Sequence, residues 1–364
     1  MTSPLSKQVP LHEQVETLIR SRIVSGELPA GTRLPSTAAL ADELGASVFT
    51  IQRALSKLTQ EGLLDRKPRQ ATWIRGEQKK LTSIAAYFGD MINAADTSFP
   101  QVLWLELKRQ LGLEGIKIRH WIDTRSSEEI TELPRDLLKS IRSGEVQALI
   151  VPHGIRETLE LLKALPIPYS TMTTDMREPT GVSGDQNSFL KLGLEQLKRQ
   201  GCRTIGAITN YRLIPEAPYS QSTRFYQSLM EAAGAAGLQV RNEWVYLPEV
   251  SPRDLVQYGY RQFHALWNRE SKPDGLLIFP DKAAMGVVTA ILERRIEVPK
   301  TLKLAVHMND LLPYPCPMAA TLLVTRVESF AKALITQIKR QLENEPTSPI
   351  AVPYEVREIL LTHS

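Results

Sequence analysis

Gln52, Arg53 and Lys57 follow one another at helical intervals, and Arg66, Lys67 and Arg69 come soon after. A primary amide such as Gln52 offers a donor and an acceptor side by side, the pair that matches adenine N6 and N7. The cationic groups of Arg53, Lys57, Arg66, Lys67 and Arg69 suit phosphate oxygens. The hydroxyls of Ser47 and Thr50 can reach phosphates or bases, and Val48 or Phe49 can touch a thymine methyl. The bland alternative is solvated surface, or, for Val48 and Phe49, packing against a neighbouring helix. The chemistry on offer is therefore duplex binding. Residues for bond breaking are missing by contrast. There is no phosphate-binding loop and no nucleophile elbow, and the six histidines show no helical metal pair. No catalytic residue, metal or cofactor is expected.

The elements that must position these side chains are legible in the pattern. Val15, Leu18, Ile19 and Ile23 predict a helix over about Leu11–Ser25, stopped by Gly26. A turn over Leu28–Gly31 leads to a second helix, with Ser36 or Thr37 as its cap and Leu40 and Leu44 on one face. Gly45 ends it, and Ser47 caps a third helix running to about Gln60, with Ile51, Leu55 and Leu58 as its apolar stripe. That stripe faces inward and leaves Ser47, Val48, Phe49, Gln52 and Arg53 outward. Leu63-Leu64 and Thr72–Ile74 read as two short strands with the basic residues between them.

Helix, helix, tight turn, helix and basic hairpin make a winged helix-turn-helix. Gly26–Ser36, Leu40-Ala41, Leu44–Ser47, Thr50-Ile51, Ala54-Leu55, Leu58 and Glu61–Leu64 together resemble the GntR family of bacterial transcription regulators. The resemblance implies a third helix in the major groove, with Ser36, Thr37, Ser47, Val48, Phe49, Thr50, Gln52, Arg53, Lys57, Arg66, Lys67 and Arg69 at the DNA. The family usually has arginines where Ala38, Val48 and Gln52 stand, and glycines near Arg69 and Ala71. The guanine-reading arginines are thus missing, which implies an operator unlike the usual one.

The 364 residues are 42% hydrophobic and 23% charged, ordinary for a folded chain of two or three domains. Net charge is +4, and the first eighty residues hold twelve basic and eight acidic side chains, so all the excess lies there. No run of eighteen apolar residues exists, so no membrane span is expected. The amphipathic start is not a signal peptide. Cys202 and Cys316, without metal spacing, suit a reducing cytoplasm.

After a polar linker at residues 76–82, apolar strand-like runs alternate with helical segments. The expected strands are Ile84–Phe88, Ile116–Ile122, Val146–Val151, Ile167–Met172, Thr204–Thr209, Leu276–Phe279 and Leu302–Val306. The expected helices include Val102–Leu111, Leu133–Ser143, Phe189–Gln200, Thr223–Ala236 and Ala283–Arg294. That alternation predicts parallel sheets with helices on both faces, and the length predicts two lobes. Val182–Gln186, Gly193, Leu197, Gln200–Ile205 and Lys272–Gly286 resemble the effector domain of the LacI/GalR family, a periplasmic-binding-protein-like fold. Lys272–Gly286 follows its PDAIFAANDxxAxG run. The fusion is similar to arabinose-responsive repressors.

These resemblances imply a multi-domain chain. Residues 1–75 would be an α+β winged helix, and residues 83–364 a two-lobed α/β effector-binding and dimerisation domain with parallel sheets. They imply a cytoplasmic, homodimeric repressor on an inverted-repeat operator in double-stranded DNA, controlled by a small molecule such as a sugar. Strand-end residues supply the effector candidates. They are Phe88, Asp90, His153, Asp281, Asn309 and Asp310, with Gln221 at the family's arginine position and Arg224 nearby. Asp281 reads equally as a cap of a helix starting at Lys282. His153 and His307 read as lone core histidines, and Arg212 and Arg224 as solvated charges. The family asparagine beside Asp281 is Pro280, and its GFDD run is eroded. Two alternatives remain: a DNA-binding dimer whose sensor has lost its ligand, and an enzyme fused to a DNA-binding domain.

Overall fold

A computed structural model describes residues 10–25, 27–29, 31–66, 71–74, 81–89, 98–125, 129–152, 156–173, 177–211, 221–248, 252, 254–313 and 316–359. The chain divides into two compact units, Met1–Leu81 and Thr82–Ser364.

The first unit holds α1 (Leu11–Val24), α2 (Thr37–Leu44), α3 (Val48–Gln60), β1 (Leu64–Arg66) and β2 (Thr72–Ile74). Ile51, Ala54, Leu55 and Leu58 recur at helical spacing on α3 and are fully buried. Burying a large aliphatic side chain stabilises by roughly 1.5–3 kcal/mol. Here they meet Val15, Ile19, Leu34, Leu40, Leu64 and Ile74 in one core. Gly45 takes a left-handed backbone with φ 60°, which lets the chain reverse between α2 and α3 at no steric cost. The segment read as a turn before α2 does more than turn. Its continuation pairs with β2, where Leu34 donates to Thr72 and Ile74 donates to Thr32. The β1–β2 ribbon is thereby anchored on a second side, and Arg33 lies beside Trp73.

The second unit alternates strand and helix. Its first part runs β3 (Ser83–Gly89), α4 (Ser98–Leu113), β4 (Lys117–Asp123), α5 (Arg135–Arg142), β5 (Ala148–Val151), α6 (Arg156–Lys163), β6 (Tyr169–Met172) and β7 (Gly181–Gly184). The chain continues through α7 (Gln186–Arg199), β8 (Thr204–Ile208), α8 (Gln221–Ala236), β9 (Gln239–Tyr246), α9 (Leu255–Trp267), β10 (Gly275–Ile278), α10 (Asp281–Glu293), β11 (Lys303–Asn309) and β12 (Ala320–Thr325). It ends in α11 (Val327–Leu342), β13 (Ile350–Val352) and β14 (Glu355–Ile359). One six-stranded sheet has the order β13-β7-β6-β5-β3-β4 and the other β14-β12-β11-β10-β8-β9. The first is wholly parallel; in the second, β14 runs antiparallel to β12, an edge the alternating pattern did not predict.

Burial on both faces explains the continuous apolar strands. On β10, Leu276 and Ile278 join the core under α9 and α10, whereas Leu277 between them joins the core under α7 and α8. Three crossings tie the two sheets together, at Gly184–Gln186, Thr325–Val327 and Val352–Glu355. Thus α11 leaves β12 in one sheet and packs against β5, β6, β7 and β13 of the other. The elements α6, α9, α11, β9, β12, β13 and β14 lie outside the expected set. β9 is a polar edge strand, and β13 and β14 are short edge strands, so their alternation is weak.

Where α9 crosses α10, the backbones meet without side chains between them. A Cβ at Gly286 would collide with the Val256 carbonyl oxygen and the Tyr260 nitrogen. Backbone cannot rotate away as a side chain can. Gly286→Ala is therefore expected to destabilise by about 1–3 kcal/mol. Gly234→Ala on α8, where a Cβ meets nothing within 4 Å, is expected to stabilise by about 0.4–1 kcal/mol. Urea midpoints at constant denaturant slope measure both. Equal effects of the two changes would contradict the crossing geometry.

Candidate nucleic-acid interface and effector site

The start of α3 is fixed by its own side chains. Ser47 occupies the N-cap and its Oγ accepts from the Thr50 amide at 3.1 Å, with Thr50 Oγ1 2.8 Å away. Ser36 caps α2 in the same way, accepting from the Ala39 amide at 3.1 Å. Both helix starts thus present oriented amides, the arrangement that favours phosphate. Val48 is 51% and Phe49 75% exposed. Gln52 and Arg53 are exposed as well, as the inward stripe requires. Thr37 and Thr50 are half-buried. Lys57 is half-exposed and also makes a contact within the unit. Its Nζ lies 2.9 Å from Oε2 of Glu16, a buried carboxylate of α1, and that pairing raises the lysine pKa. Part of its charge is thereby spent inside the unit. Arg66 ends β1, its side chain outside the described residues, and Lys67 and Arg69 lie outside them altogether.

In the second unit, the polar groups gather where β10, β11 and β12 end. His307 is buried on β11, and its Nδ1 accepts from the Asp281 amide at 3.2 Å. The ring proton must then sit on Nε2, which donates to Thr325 Oγ1 at 3.3 Å. Thr325 donates to Asn309 Oδ1 at 2.9 Å, and Asn309 Nδ2 donates to Asp281 Oδ2 at 2.9 Å. The bonds close a ring in one direction. The remaining oxygen of Asp281 accepts from the Lys282 amide at 2.9 Å. Burial lowers the His307 pKa to about 4, against the opposing pull of Asp281, so the imidazole is neutral near pH 7.

Rings complete this surface. Tyr211 stacks on Phe279 at 5.0 Å and 3°, and Phe279 meets His307 at 4.8 Å. His307 in turn meets Tyr354 at 5.8 Å, and Tyr354 meets Phe189 at 5.2 Å. Phe279 stands where the family run carries alanine, so an aromatic ring occupies space that a methyl group leaves open.

The expected effector residues are sorted by this geometry. Asp281 and Asn309 are brought together, and His307 joins them. The helix starts at Asp281 itself with Pro280 in the cap position, one residue earlier than expected; proline has no side-chain acceptor, and Asp281 serves the next amide instead. Asp310 is turned to α11, where its Oδ1 accepts from the Val327 amide at 3.0 Å. Phe88 is half-buried against Trp104, with ring centres 6.3 Å apart. Arg224 is exposed on α8 beside the buried Phe225. Asp90, His153 and Arg212 lie outside the described residues, as does the side chain of Gln221. Thr325, Tyr211 and Tyr354 are absent from the expected set. The apolar run before Thr325 is the signal that would have placed it at a strand end.

Residues 11–74 match the bacterial regulatory proteins of the gntR family, and residues 194–358 match the periplasmic binding protein-like domain. The chain joins a GntR-type winged helix to a periplasmic-binding-protein-like domain. The second unit has the fold of LacI-family regulators: a LacI family transcription regulator from Clostridium acetobutylicum superposes with a TM-score of 0.58 at 16% identity. That likeness covers 77% of this chain and 99% of the other. The HTH-type transcriptional repressor PurR of Actinobacillus pleuropneumoniae is 26% identical over 156 residues, 42% of this chain and 44% of the relative. The histidine utilization repressor of Pseudomonas aeruginosa is 42% identical over 77 residues, 20% of this chain and 31% of the relative. The matches span less than half the length of these curated relatives. No helix among the described residues is long and apolar enough to cross a membrane.

Two outcomes test this ring. Thr325→Val strands the His307 Nε2 proton and an Asn309 oxygen, and is expected to cost about 1–3 kcal/mol. The folded histidine binds its proton only near pH 4, the unfolded one near 6.5. The unfolded state therefore holds more protons between those values, and stability falls as pH falls through that window. The loss reaches about 3 kcal/mol by pH 4. His307→Gln is expected to remove that component of the pH slope, read from urea midpoints between pH 7 and 4.

Proposed function

We propose that the chain is a sequence-specific DNA-binding repressor whose affinity for its operator is set by a small molecule bound between the lobes of the second unit. Sugars are the first class to test. It acts in the cytoplasm as a homodimer on an inverted repeat, and it is not an enzyme. The carrying observation is the pairing, in one chain, of an outward α3 and a two-sheet unit joined by three crossings. Such crossings let one sheet rotate against the other about a few residues, and only a ligand with different affinity for the two arrangements can shift DNA binding. A two-fold dimer presents its two α3 helices to two half-sites.

One observation favours a second reading, a DNA-binding dimer whose sensor has lost its ligand. Both oxygens of Asp281 already accept hydrogen bonds, and Phe279 and Tyr211 stack on each other beside it. A ligand here must compete with bonds the protein makes to itself.

Thermal unfolding of the full chain against sugars, sugar acids, nucleosides and amino acids separates the two. A ligand at about a hundred times its dissociation constant is expected to stabilise by roughly 2.7 kcal/mol. The same compound is expected to change DNA affinity, and Asp281→Ala to weaken both effects. Saturable stabilisation with no change in DNA affinity would contradict control by that ligand. No shift across the panel favours the second reading. Turnover of any compound would overturn the non-enzymatic one.

A further inference from the structure

The start of α3 exposes apolar surface that the fold does not need. Ala46 packs against the core of the first unit and Ile51 is fully buried in it. Ser47 caps the helix from its own hydroxyl. The entry of α3 is therefore secured on both sides without Val48 and Phe49, which remain 51% and 75% exposed and belong to no core cluster of the described residues. Val48 and Gln52 are four residues apart, so they form one ridge of the helix; Phe49 and Arg53 form the next. An exposed amide thus lies along the helix from one apolar side chain and beside another. The first two turns of α3 carry one cation, Arg53.

In the major groove this combination has one good complement. An A·T pair offers N7 and N6 to a side-chain amide, and its thymine adds a methyl group that projects into the same groove. A G·C pair offers no methyl and rewards a guanidinium or ammonium fork at O6 and N7 instead. Neither Val48 nor Gln52 can supply that fork, and the one cation of these turns, Arg53, stands a turn after Phe49 on the other ridge. We infer that the α3 surface reads A·T pairs, with Gln52 on adenine and Val48 and Phe49 on the 5-methyl groups of thymines in the same half-site. This rests on the DNA-binding reading above. Sequence preference then comes largely from apolar contact, while Arg53 and the helix N-termini hold phosphates and set the register.

Selection of the full chain against a randomised duplex library gives the probe. The expected enriched half-site contains A·T pairs at its centre. Replacing its thymines by uracil keeps every hydrogen bond and removes only the methyl groups. Affinity is expected to fall about fourfold for each contacted methyl, from the transfer value of one buried CH₂-sized group. In Val48→Ala/Phe49→Ala, whose lost side chains are exposed, the uracil penalty is expected to vanish while the salt dependence stays unchanged. Replacing cytosine by 5-methylcytosine outside the half-site centre is expected to have no effect. Enrichment of a guanine-centred site, a uracil probe bound as tightly as the thymine one, or the same uracil penalty in the double variant would each overturn the assignment. No enrichment of any sequence would instead overturn the sequence-specific DNA-binding reading, and this one with it.

Discussion

Both faces of each six-stranded sheet in the second unit are covered by helices, and that constraint decides where chemistry can occur. Side chains alternate across a strand, so in a sheet buried on both sides a mid-strand polar residue is buried too and must be small or paired, as Ser170 and Thr171 of β6 are small. Leu276, Leu277 and Ile278 show the result, three successive residues fully buried in two different cores. The paired polar groups sit at the strand ends, where Asp281, Asn309 and Thr325 collect. The crossings lie there too: Gly184 and Thr325 are the last residues of their strands. The polar groups and the crossings between the sheets are therefore neighbours by construction.

A consequence is that the strand-end groups must satisfy one another when nothing else does. His307 and Asn309 are buried, and an unpaired polar atom there costs about 1–3 kcal/mol. The ring through Asp281, His307, Thr325 and Asn309 meets that demand with each donor used once. It also orders the start of α10, because the Asp281 amide is one of the first-turn donors that a helix cannot satisfy internally. A neutral His307 is part of this solution: an imidazolium would present a proton at Nδ1 to an amide that also donates. Burial, which holds the ring neutral near pH 7, and the hydrogen-bond direction thus support each other.

Much of this was legible in the sequence, and the failures have physical causes. The described part of the first unit was read closely, including Ser47 as a cap, Ser36 as one of two cap candidates and Gly45 as the stop. There the signals are local: helical periodicity, short hydroxyl caps and a glycine in a left-handed turn. The Lys57–Glu16 pair was not legible because the two residues lie on different helices, and only packing brings them together. Asp281 and Asn309 could be picked as strand-end residues, but Asp310 could not be separated from them. Neighbours in sequence at the end of β11 point in different directions, one into the ring and one to the α11 amide. The apolar run before Thr325 could place it at a strand end, but its partners, and Tyr354 altogether, were invisible for a related reason. Their importance comes from the crossings, which join residues far apart in the chain.

The two units therefore differ in how firmly the sequence binds form to function. On α3 the inward positions are fixed by the core, and what remains outward is surface by necessity. Its chemistry can be read directly, because those outward side chains take no part in the packing of the unit. Phe49 is the clearest case, since a cap and a buried stripe already hold the helix without it. At the strand ends of the second unit the same side chains serve both structure and any ligand. Asp281 both closes the ring and offers a partly exposed carboxylate, so its presence does not distinguish a live site from a stable one. That ambiguity is chemical rather than a matter of recognition: where polar groups must pair to be buried, pairing is evidence of folding first. A ligand shows itself only by displacing one of those bonds, and in this ring the Asn309–Asp281 contact is the one that engages the partly exposed carboxylate.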